Sequence, residues 1–339
     1  MWFKNLSIFE FLAPFETECD ALEKALSDHK FVPCGSSVPI SMGWVSPFST
    51  HDGPLIHQAQ GAIMIAFQVQ EKIVPASVVK ELLDEKVEEI ELRESRKVKK
   101  KEKDTLKEEI FQTLLPRAFT RNTVTYAYID QLKGLFIVNA ASSKKADLVT
   151  VNLRKALGSL KIRIPELLPI SMILTNWVKT NEYPQSLTIE DQCVLQDNED
   201  SSGVIRCQKQ NLLTEDIQSL IDTGREVVQL GLSWQEQLSF ILNDEFMIKS
   251  IKYLEYVQDK ANDIVTETKE ARFDADFTIM VETLREFVSE VLAIFAKHQK
   301  EQNEQNEQSL DEAPLEGLNE EKEASEPLEN TEVETPGSL

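Results

Sequence analysis

Apolar and polar positions along the chain follow two periods, each marking a different kind of element. Phe277, Val281, Leu284, Val288, Val291 and Phe295 recur at alternating spacings of four and three, which places one apolar stripe on a long amphipathic helix. Such a stripe fits a helix packed on its own core and equally a helix at a subunit interface. Residues 62–69 and 123–129 are apolar and rich in β-branched side chains, the composition of buried strands. The second of these runs through Gln131-Leu132-Lys133-Gly134 into 135–138, which predicts a hairpin. Residues 227–232, 238–242 and 246–254 predict a second antiparallel set. Ser143 stands where it can cap a helix running to about 157, with Gly158 as its stop. Thr214 is placed to cap another, with Glu215 and Asp216 in the positive first turn and Gly224 beyond the end. Strands and helices are interspersed without regular alternation, and no internal repeat is present. The pattern predicts an α+β protein with antiparallel sheets.

Residues 78–116 read differently. Val79, Leu83, Val87 and Ile90 make a helical stripe that fades after Leu92, and from 93 to 105 the only aliphatic core former is Val98. Thr105-Leu106-Lys107-Glu108 matches a capping box that restarts a helix, with Leu106, Ile110 and Leu114 as its stripe and Pro116 as its bound. Two packed helices whose far ends leave the core form a helical finger with a polar tip. Between 93 and 107, eight lysines and arginines face three acids, a local charge of +5. A positive protrusion of this kind neutralises phosphates without reading bases. The same residues also suit a solvated helix face laced with i,i+4 ion pairs: the interspersed glutamates favour that reading, and Lys99-Lys100-Lys101 favours phosphate. Extended backbone over 203–210 would set Arg206, Gln208 and Gln210 on one face with Lys209 near the strand's end. That is a second set of donors for phosphate or sugar oxygens, or an ordinary exposed strand face.

The chain has 339 residues, 41% hydrophobic and 28% charged, enough for about two domains with a sizeable core. The expected division is a central α+β region of 1–77 with 117–175, the finger 78–116, a second α+β region 176–298 ending in the long helix, and an acidic disordered tail 299–339. The net charge of −22 is unevenly spread: residues 301–339 hold thirteen acids against one lysine, a net −12, leaving −10 for the first 300. The mean therefore does not exclude a polyanionic partner. The start of the chain has no basic-then-apolar leader and no apolar run approaches a membrane span, so the expectation is a cytoplasmic protein. Cys19, Cys34, Cys193 and Cys207 form no C-x-x-C pair, which fits a reducing compartment and small buried or half-buried thiols.

Enzyme signatures do not assemble. The 11 glycines make neither G-x-G-x-x-G nor a Walker A loop, and there is no G-x-S-x-G elbow. His51 and His57 are six apart, the wrong spacing for one helix face. Asp274 and Asp276 form a D-x-D, but Asp276 also suits the N-cap of the long helix and Arg272 offers it a charge partner.

Several short segments, in order, resemble the recombination-associated RdgC family. They are Met1-Trp2-Phe3-Lys4-Asn5-Leu6, Phe31-Val32-Pro33-Cys34-Gly35, Met42-Gly43-Trp44-Val45, Leu114-Leu115-Pro116-Arg117-Ala118-Phe119, Gly203-Val204-Ile205-Arg206, Lys209-Gln210 and Arg272-Phe273-Asp274-Ala275-Asp276-Phe277. The resemblance spans roughly 1–298. It implies a DNA-binding protein without enzymatic activity or cofactor that modulates RecA-dependent recombination. It further implies horseshoe subunits that close into a ring-shaped homodimer around duplex DNA, with single strands bound more weakly, and a place at the nucleoid. Carried onto this chain, Arg96, Lys97, Lys99, Lys100, Lys101 and Lys103 form the finger tip at one ring contact. Lys209 and Gln210 line the hole, with Arg206 beside them, and Phe119 is an apolar contact across a subunit interface flanked by Arg117 and Arg121 as phosphate contacts. Two departures stand out: Gln208 occupies a position where a basic residue is expected, and the acidic tail has no family counterpart. A tethered polyanion is expected to compete with DNA for the basic surface. The competing reading is a protein–protein module that docks a partner through the finger and the 277–295 helix; a hydrolase would rest on Asp274 and Asp276 alone.

Overall fold

The computed structural model of the chain describes residues 2–48, 53–197 and 203–311. In chain order the elements are β1 (Ser7–Phe11), α1 (Cys19–Ser27), β2 (Ile40–Val45), β3 (Ile56–Ala59), β4 (Ala62–Ile73), α2 (Ala76–Glu94), α3 (Lys100–Leu114), β5 (Phe119–Asp130), β6 (Leu135–Val138), α4 (Ser143–Leu157) and β7 (Ile162–Arg163). There follow α5 (Ile170–Thr180), β8 (Leu187–Asp197), β9 (Val204–Gln208), α6 (Glu215–Asp222), β10 (Arg225–Trp234), β11 (Leu238–Asn243), β12 (Ile248–Tyr253), α7 (Glu255–Asn262) and α8 (Lys269–Asp311). Among the described residues the strands form two antiparallel sheets, ordered β2-β4-β5-β6-β1-β7, with β3 also on β4, and β12-β11-β10-β8-β9. The α+β class and the antiparallel pairing agree with the sequence pattern.

Pleat alternation assigns each face of the first sheet to its own core. Met64, Tyr128 and Ile137 turn toward α5 and α8, in a cluster shared with Leu230, Leu232, Phe240 and Leu242 of the second sheet. Ile63, Ile65, Ile129 and Val138 turn the other way, onto Leu22 and Leu26 of α1 and Ala146, Val149 and Leu153 of α4. All six members of the long-helix stripe are buried in the first cluster, so its face is core within one chain. Each such side chain contributes about 1.5–3 kcal/mol by leaving water. A bridge between Leu6 and Ile248 joins the sheets through Leu6 N–H to Ile248 O, 2.7 Å. At Gly43 the chain passes so close that a Cβ would lie 2.5 Å from Phe31 Cα, which explains glycine before Trp44.

Local punctuation differs from expectation in four places. The cap position of α4 is Ser142 rather than Ser143, with Gly158 at φ 74 ending the helix as expected. Thr105 is not a cap: α3 begins at Lys100, and the Thr105 hydroxyl donates to Lys101 O at 3.1 Å, the usual back-bond of a threonine inside a helix. Lysine and glutamate at 100–103 propagate helix well enough to start it early. Likewise α8 begins at Lys269, where the Thr268 hydroxyl accepts from Ala271 N at 3.1 Å, so Asp276 lies inside the helix. Its other end continues to Asp311, over the first residues assigned by composition to the tail; no glycine or proline interrupts it there. The rest of the tail, 312–339, lies outside the described residues. No helix among those described is long and apolar enough to cross a membrane.

Candidate nucleic-acid interface

The finger grows from adjacent strands. The β4–β5 ladder runs from Ala62↔Asp130 to Ile73↔Phe119, and α2 and α3 leave from its end. Pro75 starts α2 with its fixed φ, and Ser95, at φ 51, turns the chain at the far end. Val79, Val87, Val98, Ile110 and Leu115 are the buried residues holding the pair together. At 19 residues, α2 carries the tip about 28 Å from the sheet.

At the tip the charge is sorted. Arg96 forks onto Glu102 with two bonds of 2.8 Å and reaches Glu94 at 2.7 Å. Hydrogen bonds donated to Glu102 and Glu94 raise the Arg96 guanidinium above its ordinary value. Reciprocally, bonds from Arg93 and Arg96 lower the Glu94 carboxyl, and Arg96 lowers Glu102. Glu91 accepts Val98 N at 3.0 Å, the largest cause of its lowered pKa, and lies 3.5 Å from Lys97. Arg93, Arg96 and Lys97 are thus held by carboxylates, as the ion-pair alternative expects. Lys99 occupies the cap position of α3, and Lys100 and Lys101 its first turn, all three exposed; Lys103 follows, half-buried. Cations at this end oppose the helix dipole by about 0.3–1 kcal/mol each. Their placement favours an external anion over helix stability.

The finger base holds a second group. Phe119 is 85% exposed and stands opposite Ile73, itself 44% exposed. Arg121 faces Glu71 across the ladder and binds it through Nε at 2.7 Å, so its charge is matched locally. Arg117 is exposed at the end of the short 3-10 turn Leu115–Arg117. Lys72, which sequence reasoning passed over, ties the base together through Ser36 O at 2.6 Å and Leu115 O at 3.0 Å.

The third group lies on the edge strand of the other sheet. Arg206 and Gln208 are exposed on β9, alternating with buried Cys207. The expected continuation to Gln210 fails: β9 ends at Gln208 because Lys209 takes φ 56, and Gln210 N–H turns back to Asp191 O at 3.3 Å. Lys209 and Gln210 share a hollow with Glu190 and Asp191, whose carboxylates offset the positive charge of Lys209. The structure therefore places the candidate residues in three groups, on the finger tip, the finger base and β9.

The D-x-D carboxylates are engaged elsewhere. Asp276 pairs with Arg272 at 3.0 Å. Asp274 lies 3.1 Å from His57 Nε2, whose ring is packed by Phe48, Phe273 and Phe277. Burial lowers the His57 pKa, opposed in part by Asp274. Among the described residues no group of three or more His, Cys, Asp or Glu side chains is arranged to hold a metal ion.

A family model described as "RdgC: Putative exonuclease, RdgC" matches residues 1–298. The Recombination-associated protein RdgC of Tolumonas auensis is 41% identical over 295 residues, covering 86% of this chain and 97% of that protein. Its counterpart in Psychromonas ingrahamii is 40% identical over 301 residues, 88% and 99% of the two chains. That in Pseudomonas syringae pv. tomato is 40% identical over 293 residues, 86% and 96%. The family match ends where the acidic segment begins.

Proposed function

The chain belongs to the RdgC family, and from that premise we propose that it binds duplex DNA without sequence preference, closes around it as a ring-shaped homodimer of horseshoe subunits, and restrains RecA-dependent recombination. The relatives' name supports a role in recombination. The observation that carries the DNA reading is the exposed Lys99-Lys100-Lys101 run at the end of a finger whose Arg93, Arg96 and Lys97 are held by carboxylates. Phosphate contacts from these lysines, from Lys103 and from Arg117 would hold the backbone; Arg206, Lys209 and Gln210 would line the hole, with single strands bound more weakly and the protein at the nucleoid. The partner-docking alternative loses one of its two surfaces, because the stripe of α8 is buried in its own core. We place the activity in binding without hydrolysis or cofactor: the family description names an exonuclease, yet Asp274 and Asp276 are tied to His57 and Arg272.

The test is equilibrium binding to a fluorescent random-sequence duplex across a salt series, with single-stranded competitor. A log–log slope of several times about −0.9, one such unit per phosphate, supports the reading; no binding at low salt by full-length or tail-deleted protein overturns it.

Phe119 is proposed as the apolar contact between subunits. Phe119→Ala should leave folding stability within about 0.5 kcal/mol, because the ring is exposed. Its loss should weaken self-association by about 2 kcal/mol, the scale of an aromatic hot spot, or roughly 30-fold in sedimentation equilibrium. An unchanged association constant would remove Phe119 from the interface.

The tail is proposed as an intramolecular competitor. Deleting 301–339 removes a net −12 and should tighten duplex binding several-fold at low salt, with the gain vanishing near ~1 M salt, where the screening length is about 3 Å. Equal affinities at low salt would dismiss the competitor.

A further inference from the structure

Cys193 and Cys207 are 14 positions apart in sequence and directly opposite one another in the β8–β9 ladder. Opposed residues of an antiparallel pair point to the same face, and both side chains are buried, at 3% and 4% exposure. The bond from Asp197 N to Gly203 O sets the alternation of the ladder and puts 193/207 in the hydrogen-bonded class. Such pairs have Cα atoms about 5.5 Å apart. That lies within the roughly 4.4–6.8 Å over which disulfides form.

We propose that Cys193 and Cys207 are an oxidisable dithiol whose sulfurs join in an intrachain disulfide, tying the edge strand β9 to β8. With a low-molecular-weight disulfide as oxidant, one cysteine thiolate attacks the reagent, forms a mixed disulfide and expels one small thiolate. The other cysteine thiolate then attacks the protein-bound sulfur, closes the Cys193–Cys207 bond and expels the second. Two electrons pass from the protein to the reagent, which leaves as two thiols, its sulfurs protonated by the hydrogens the cysteines give up.

Access comes from the topology. Among the described strands β9 pairs only with β8 and is five residues long, so opening it breaks the bonds of a single short ladder at the sheet edge. While it stays closed, burial pushes the Cys193 thiol up to about 12, reinforced by Cys207, and suppresses the attacking thiolate. Oxidation therefore follows opening of the edge strand and should accelerate in sub-denaturing urea. Closing the bond draws the Cβ atoms from about 4.5–5.5 Å to about 3.8 Å. That twists β9, which carries Arg206 and Gln208 outward and leads into Lys209 and Gln210. The effect on DNA, unlike the bond itself, rests on the DNA-binding reading.

The experiment takes reduced full-length protein, incubates it with glutathione disulfide with and without low urea, traps residual thiols with iodoacetamide, and reads intact mass and peptide maps. The expected result is loss of two hydrogen masses, a linked Cys193–Cys207 peptide and faster formation in urea. Cys193→Ser and Cys207→Ser should each lack the link and carry a glutathione adduct on the remaining partner. Four alkylated cysteines after unfolding, adducts without a link, or links to Cys19 or Cys34 would overturn the dithiol. Duplex binding by the oxidised form should be several-fold weaker and restored by dithiothreitol, with no redox response in the double variant Cys193→Ser with Cys207→Ser. Equal affinity in both states would overturn the coupling. If the reduced form binds no duplex, the DNA reading has failed and the mass result alone decides the dithiol.

Discussion

Replacing Lys99, Lys100 and Lys101 together by glutamate is expected to abolish measurable duplex binding without lowering the melting temperature. Each phosphate contact makes affinity fall by about 0.9 decades per decade of salt, so three lost contacts cost roughly two to three orders of magnitude at ~0.1 M salt. The salt slope should flatten by about three per finger. The second half of the prediction separates function from folding. These positions are the cap and first turn of α3, where glutamate suits the dipole and lysine opposes it, by about 0.3–1 kcal/mol per site. A variant that binds no DNA but melts at or above the parent temperature would identify lysines kept for an external anion. A variant that binds as before would end the finger's role in DNA contact, and one that loses both properties would mean the lysines hold the tip together.

The second large effect concerns how the finger's sheet is fixed to the rest. Asp130 closes the β4–β5 ladder and is 1% exposed, and its carboxylate accepts from Leu132 N at 3.0 Å and Lys133 N at 3.2 Å in the hairpin turn. From α8, Arg285 donates to it at 2.7 Å through Nε and also to Gln60 O at 2.8 Å. Removing one member of a buried pair leaves an uncompensated charge, so Arg285→Ala is expected to cost about 3 kcal/mol and Asp130→Ala nearer 5, because the turn N–H groups are also orphaned. Urea unfolding would measure both. The double variant Asp130→Asn with Arg285→Met should cost less than Asp130→Ala, since amide oxygen still serves the turn and no charge remains. Losses below about 1 kcal/mol in both single variants would show that water reaches the pair.

Features carried by contiguous residues were legible before any coordinates. The hairpin through Gln131-Leu132-Lys133-Gly134, the second antiparallel set and the two-helix finger all follow from local period and turn chemistry. The long stripe announced a helix but not its neighbour: only packing showed that Phe277 through Phe295 face the chain's own sheets. Charge partners were the least legible. Glu91 and Lys97 meet because Ser95 turns the chain, Arg121 meets Glu71 across 50 positions, and Arg285 meets Asp130 across 155. Counting charges in a window gave the tip +5 but could not say which lysines were spoken for. On β9, one residue at positive φ defeated an alternation that was otherwise correct.

The two-point attachment of the finger has a mechanical consequence. Its helices join the β4–β5 plank through short links at both ends, Pro75 on one side and Leu115–Arg117 on the other. A body pinned at two neighbouring points behaves like a door on a pair of hinges, with one easy axis of swing and stiff resistance to torsion. Over a lever of about 28 Å, a tilt of about 5° moves the tip by about 2.5 Å. A gap between two such tips would change by about twice that, about 5 Å, or nearly two water diameters. Side chains at the hinge line, Lys72 with its two carbonyl partners among them, would then set the stiffness of the finger's swing from a distance.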